Sequence, residues 1–115
     1  MFLALVRLYP CPDKQGATQQ FLAGILGPTR VQPGCLSCTL ATESDPDALL
    51  YTEIWESKGD LLGHLRSDGY AKILAAMELS TRKPDVCIYE IVNLRGLEWI
   101  EQLRMAEHGG GGAGQ

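Results

Sequence analysis

The stretch from Leu50 to Leu65 constrains this chain more than any other. Tyr51, Glu53 and Trp55 stand at alternate positions, with Leu50, Thr52 and Ile54 between them. A period of two marks a strand whose two faces meet different surroundings. Ser57 and Asp60 then carry the spacing of a capping box, a serine accepting from the backbone while the carboxylate reaches back. The strand is therefore expected to pass directly into a helix that carries His64. One short segment holds an acid, an indole, a phenol and an imidazole, enough chemistry for a small-molecule site.

Around this unit the chain divides readily. Phe2 to Tyr9 reads as a strand, apolar almost throughout and ended by Pro10 and Pro12, as if covered on both faces. Lys14 to Val31 reads as a helix with Ala17, Phe21, Ile25 and Leu26 on its inward stripe. Pro28 is placed to kink or restart that helix, and Pro33-Gly34 stops it. Cys35 to Thr42 is a second strand, Ser44-Asp45-Pro46-Asp47 a hairpin turn, and Leu49 to Glu56 the third strand. The helix opened by Ser57 is expected to run to about Ser67. Gly69 then breaks it, and Tyr70, Ile73, Leu74 and Met77 continue an apolar stripe. Asp85 to Asn93 is the fourth strand. Leu94 to His108 is a terminal helix with Leu97, Ile100, Leu103 and Arg104 on one face. The expectation is a single domain over residues 1–108 and a disordered glycine-rich tail over 109–115.

The order β-α-β-β-α-β with a further helix is the ferredoxin-like α+β arrangement. Its right-handed crossovers give an antiparallel sheet with helices on one face and the other face bare. Leu50, Thr52 and Ile54 look suited to lie under the helices, which would leave Tyr51, Glu53 and Trp55 on the bare face. A bare apolar face is an association surface, and a homodimer closing sheet on sheet is the simplest way to cover it.

Composition excludes several classes. The chain has 115 residues and a net charge of −4, with no cluster of Lys and Arg to hold nucleic acid. No stretch approaches the ~20 apolar residues of a membrane span. The opening MFLALVR is too short for a signal peptide and is interrupted by Arg7, so a cytoplasmic location is expected. There the four cysteines would be free thiols. Cys35 and Cys38 spell C-x-x-C, but a spacing of three in a regular strand sends the thiols to opposite faces, so neither a redox pair nor a metal site is expected. Cys11 and Cys87 should lie near each other as buried thiols if the first and fourth strands pair.

The Thr29-Arg30 helix end, Pro33-Gly34-Cys35, the alternating Tyr51, Glu53, Trp55 and Ser57, then His64-Leu65 and Tyr70, together resemble the antibiotic biosynthesis monooxygenase family. The likeness spans roughly residues 1–93. It implies a dimeric α+β barrel. Its implied activities range from cofactor-independent oxygenation of quinols and polyphenols to haem degradation and the processing of aldehyde-type signals. Members that degrade haem or oxidise quinols resemble each other in placing an asparagine in the pocket, whereas the sole asparagine here is Asn93. The expected activity is a monooxygenase acting on a small aromatic or quinol-like molecule without a bound cofactor or metal. The alternatives are a non-catalytic ligand-binding or stress-response dimer, and an isomerase or lyase on the same barrel.

On this reading His64 is the candidate base, since imidazole titrates near working pH, or else a helix histidine satisfied by a hydrogen bond. Glu53 is a second acid or base, or one half of an ion pair at the dimer interface with Arg7, Arg30, Arg66 or Arg82. Trp55, Tyr51, Tyr70 and Arg66 are the candidate substrate-binding residues, with a dimer-core role the alternative for Trp55, and the two roles compatible in a barrel lined by both protomers.

Overall fold

A computed structural model describes residues 1–44 and 47–108. Asp45-Pro46 of the expected hairpin turn, and the tail over 109–115 expected to be disordered, lie outside the described residues. The strands are β1 (Phe2–Leu8), β2 (Cys35–Ser44), β3 (Asp47–Trp55) and β4 (Asp85–Glu90). The helices are α1 (Gln15–Arg30), α2 (Lys58–Leu65), α3 (Asp68–Met77) and α4 (Leu97–His108). The sheet order is β2-β3-β1-β4, with every neighbouring pair antiparallel. This is the ferredoxin-like fold that the element order predicts.

β1 and β3 are the central strands, and α1 to α3 cover one face of them. Ala4, Val6 and Leu8 on β1 and Leu49, Tyr51, Glu53 and Trp55 on β3 are buried. Leu3, Leu5, Leu50, Thr52 and Ile54 alternate with them and stay half-buried on the open face. The expected facing is thus inverted: the Tyr51, Glu53, Trp55 side lies under the helices. In β1, Val6 stands opposite Tyr51 and Ala4 opposite Glu53, so the small and branched residues of β1 leave room for the bulky polar set of β3.

α1 buries Thr18, Leu22, Ile25 and Thr29, a stripe at steps of four, three and four. Ala17 and Phe21 therefore face outward, one position off the expected stripe. Pro28 sits inside α1 without ending it. The turn after α1 needs Gly34, whose φ is +80° and whose position would put a Cβ 2.1 Å from the Asp60 carboxyl. An L side chain is both strained and excluded there. The Gly34 carbonyl also accepts from the Glu56 amide at 2.8 Å, which pins the α1–β2 turn to the β3–α2 turn.

Ser57 caps α2 as expected. Its Oγ accepts from the Asp60 amide at 3.1 Å and donates to the Asp60 carboxylate at 2.8 Å. The helix break comes earlier than Gly69. Ser67 accepts from the Tyr70 amide to cap α3, while its hydroxyl donates to the His64 carbonyl at 2.6 Å, closing α2 and opening α3 with one side chain. Beyond α3, Thr81 donates its amide to the Tyr9 carbonyl, and Arg82 lies 3.9 Å over the Tyr9 ring. β4 ends at Glu90, three residues short of the expectation. Leu97, Trp99, Ile100 and Leu103 of α4 are exposed. No helix among the described residues is long and apolar enough to cross a membrane.

Candidate functional site

The polar set of β3 and the histidine of α2 meet inside the protomer. β3 fixes Tyr51, Glu53 and Trp55 at alternate positions under the helices, flanked by β1 and β2. α2 is short, and its two buried side chains, Leu61 and His64, are one turn apart. The Ser57 cap and the contact of Gly34 with Asp60 set where that turn lands, which puts the imidazole over Glu53.

His64 Nε2 is 2.6 Å from Glu53 Oε2. Trp55 Nε1 donates to Glu53 Oε1 at 2.9 Å, so both carboxylate oxygens are engaged. His64 Nδ1 is 3.0 Å from Gln32 Oε1, in the turn that follows α1. The indole of Trp55 stacks on the imidazole with ring centroids 4.7 Å apart, and Tyr70 meets it edge-on at 5.4 Å. Next to this set, the Cys38 thiol donates to the Tyr51 hydroxyl at 3.2 Å. Burial first, then the neighbouring thiol and carboxylate, push the Tyr51 phenol far above its usual range. Burial pushes the Cys38 thiol up to about 11. Burial and the Glu53 charge also raise Tyr70.

Glu53 and His64 are each 1% exposed and Trp55 is fully buried. A carboxylate so enclosed costs several kcal/mol unless its hydrogen bonds are made inside the protein. Here two charged or polar donors supply them. The arrangement has the logic of a carboxylate–imidazole dyad: Glu53 fixes the ring and stabilises positive charge on it, while Nδ1 looks outward toward Gln32. Gln32 and Tyr70 are the half-buried members of the set.

Several expectations need correction. Glu53 pairs with His64 within one chain rather than with an arginine at a dimer interface. Arg7 pairs with Glu43 at 2.7 Å, and Arg30 donates to the Cys38 carbonyl at 2.9 Å. Arg66 is exposed at the end of α2 and stands outside the cluster, although it was among the candidate substrate-binding residues. Tyr51, Tyr70 and Trp55 do gather around His64 and Glu53. Cys11 and Cys87 are both exposed, and Cys87 stands opposite Leu5, well before the end of β1 that leads to Cys11. Gln32 was missed, because nothing but the adjacent Pro33-Gly34 turn marks it. Cys38 was missed as a neighbour of the site because a β-bulge between Cys35 and Ser37 changes its face.

The family model for antibiotic biosynthesis monooxygenases matches residues 1–76, which include β1 to β3, α1, α2 and every residue of this cluster. The chain belongs to the antibiotic biosynthesis monooxygenase family. Among solved structures, Rv0793 of Mycobacterium tuberculosis is similar at 27% identity and a TM-score of 0.74, over 83% of this chain and 98% of its own. An antibiotic biosynthesis monooxygenase candidate from Deinococcus radiodurans has 27% identity and a TM-score of 0.69, over 84% of this chain and all of its own. A corresponding protein of Nitrosomonas europaea, at 16% identity and a TM-score of 0.71 over 81% of this chain and all of its own, shares the fold. No curated protein sequence matches the chain. The monooxygenase-family relatives thus share the ferredoxin-like sheet and helices, and the Glu53–His64 pair lies within the part of the chain that the family model covers.

Proposed function

We propose that this chain is a cofactor-independent monooxygenase for a small, electron-rich phenol or quinol-like aromatic, with the Glu53–His64 pair as its acid–base group. The observation that carries the reading is the 2.6 Å contact between His64 Nε2 and Glu53 Oε2, which leaves Nδ1 directed at the half-buried Gln32. In this reading a substrate hydroxyl replaces the Gln32 amide at Nδ1. His64 takes the phenolic proton, and Glu53 stabilises the imidazolium formed. Trp55 holds the ring from one side and Tyr70 from its edge. The phenolate passes an electron to oxygen. The resulting pair combines at the open ring carbon, and loss of water leaves the quinone. One phenol and one oxygen molecule give one quinone and one water, so no outside reductant is needed. Entry requires Tyr70 to swing away from His64, and the Ser67 cap between α2 and α3 is where that motion would pivot. Arg66, outside the cluster, is assigned no role.

The open sheet face, with Leu3, Leu5, Leu50 and Ile54, is the surface on which a second copy would close. The helix-side site is complete within one chain in this reading, so dimer closure supports the sheet rather than supplying catalytic groups.

The test is oxygen uptake with a panel of naphthols and anthrones, with 18O2 followed into the product. Wild-type turnover with one labelled oxygen per quinone is expected, falling at least 100-fold in His64→Ala. Unchanged oxygen uptake by His64→Ala with an accepted substrate would sink the proposal. A second reading, a non-catalytic barrel in which the pair only holds β3 to α2, is favoured by the near-complete burial of Glu53, His64 and Trp55. It requires that His64→Ala lower the melting temperature while no phenol in the panel consumes oxygen with the wild-type protein.

A further inference from the structure

The β-bulge in β2 brings together two thiols that a regular strand would separate. Cys35 stands opposite Trp55 and Cys38 opposite Glu53, with the register shift between Cys35 and Ser37. Trp55 and Glu53 point to the same, helix-covered face, so the extra residue in β2 returns both cysteines to that face. Cys38 lies in the hydrophobic core, and Cys35 packs against the same core from a half-exposed position. Both line a surface cavity of about 410 Å³ with Arg30, Leu36, Ser37 and Thr39.

We propose that Cys35 and Cys38 form a peroxide-sensitive dithiol that closes to a disulfide beside the Trp55–Glu53 site. The inference rests on the bulge and stands whether or not the chain oxygenates a phenol. Three residue steps of β2, Cys35 to Cys38, span two residue steps of β3, which sets the Cα atoms roughly 6.5–7 Å apart. Disulfides span Cα separations of about 4.4–6.8 Å with Cβ atoms about 3.8 Å apart, so the bond closes only as the bulge tightens and turns the two Cβ atoms toward each other. The cavity gives peroxide access to the half-exposed Cys35, while Cys38, at the same cavity, offers only 1% of its surface.

The chemistry balances with hydrogen peroxide as the oxidant. The Cys35 sulfur attacks one peroxide oxygen, the O–O bond breaks, and water leaves behind a sulfenic acid. The Cys38 sulfur then attacks the Cys35 sulfur. The S–S bond forms, the S–O bond breaks, and the departing hydroxide leaves as water with the Cys38 proton. Two thiols and one peroxide give one disulfide and two waters. Burial holds the Cys35 thiol above its ordinary value, with the charge of Glu53 pushing the same way and Arg30 opposing it. Closure is accordingly slow at neutral pH, and Cys35, the more accessible of the two, reacts before Cys38. The product removes the thiol that donates to the Tyr51 hydroxyl, so oxidation changes the hydrogen bonding next to Glu53.

The experiment is peptide mapping of the full chain by mass spectrometry after treatment with equimolar hydrogen peroxide at pH 8.5, without reductant. The expected result is a fall from four alkylatable thiols to two, with Cys35 and Cys38 in one peptide lighter by two mass units, restored by dithiothreitol. In Cys38→Ser, dimedone should trap a sulfenic acid at Cys35. In Cys35→Ser, Cys38 should stay reduced. Four thiols retained by the wild-type protein, a disulfide that recruits Cys11 or Cys87 instead, or equal oxidation of Cys38 in Cys35→Ser would each overturn the proposal. The wild-type map decides the matter even where a variant folds poorly.

Discussion

The two faces of β3 are made by the same nine residues and behave as different materials. On the helix-covered face Tyr51, Glu53 and Trp55 are sealed, and each polar atom of Glu53 and Trp55 is bonded to another buried group. On the open face Leu50, Thr52 and Ile54 are half-buried and apolar or neutral, with Arg7 and Glu43 closing one end as an ion pair. Along β3 the covered face carries the buried carboxylate, and the open face carries the aliphatic Leu50 and Ile54. A buried carboxylate is tolerated where a histidine and an indole are built to meet it. An aliphatic sheet face at the surface calls for cover from outside the protomer. In the proposed reading the two faces divide the work: chemistry inside, association outside.

The sharpest way to break this comparison is to remove one member of the inner set. His64→Ala leaves the Glu53 carboxylate buried with only Trp55 as donor, and unfolding in denaturant should show a loss of about 3–5 kcal/mol. Gly34→Ala acts on the turn that positions α2, combining a left-handed backbone with a close approach to Asp60. A loss of about 2–4 kcal/mol is expected, together with a weaker His64–Glu53 contact by NMR. On the other face, Ile54→Ala should cost only about 1 kcal/mol in dilute protein, because that side chain is half-buried. A sedimentation equilibrium series should show its larger effect on self-association. Equal and concentration-independent losses for His64→Ala and Ile54→Ala would remove the distinction between the faces. The smallest effect concerns Glu43, held below its usual 4.5 by the Arg7 hydrogen bond. A carboxyl depressed in the folded state stabilises the fold above its ordinary range. That contribution fades as the pH falls through the depressed value. Glu43→Gln should flatten the acid limb of the stability profile slightly, with its small loss present at pH 7 and vanishing in acid.

The sequence makes the fold legible because each element has a local cause. Alternation marks β3, Ser57 and Asp60 mark the start of α2, and Pro33-Gly34 marks the end of α1. Alternation also groups Tyr51, Glu53 and Trp55, but it states only that they share a face and is silent on which one. Hydrophobicity argued for placing Leu50, Thr52 and Ile54 inside. The cross-strand fit of Glu53 to Ala4, and the histidine arriving from α2, outweighed it. The pairing of His64 with Glu53 spans eleven residues and a helix start, so it follows from the docking of α2 rather than from any local spacing. Gln32 depends on the same docking. The cysteine pair was misread for a different reason. A bulge is one extra residue, and Leu36 carries no signal that it is the one left over.

The most direct test of the inner dyad is the imidazole of His64 observed by 1H–15N NMR at neutral pH. A buried Nε2–H held by a carboxylate at 2.6 Å is expected to give a low-field, slowly exchanging proton that moves upfield in Glu53→Gln, where the acceptor is neutral. A His64 ring whose Nε2 proton exchanges with solvent at once, and whose spectrum is unchanged by Glu53→Gln, would contradict the dyad and with it the assignment of chemistry to the covered face.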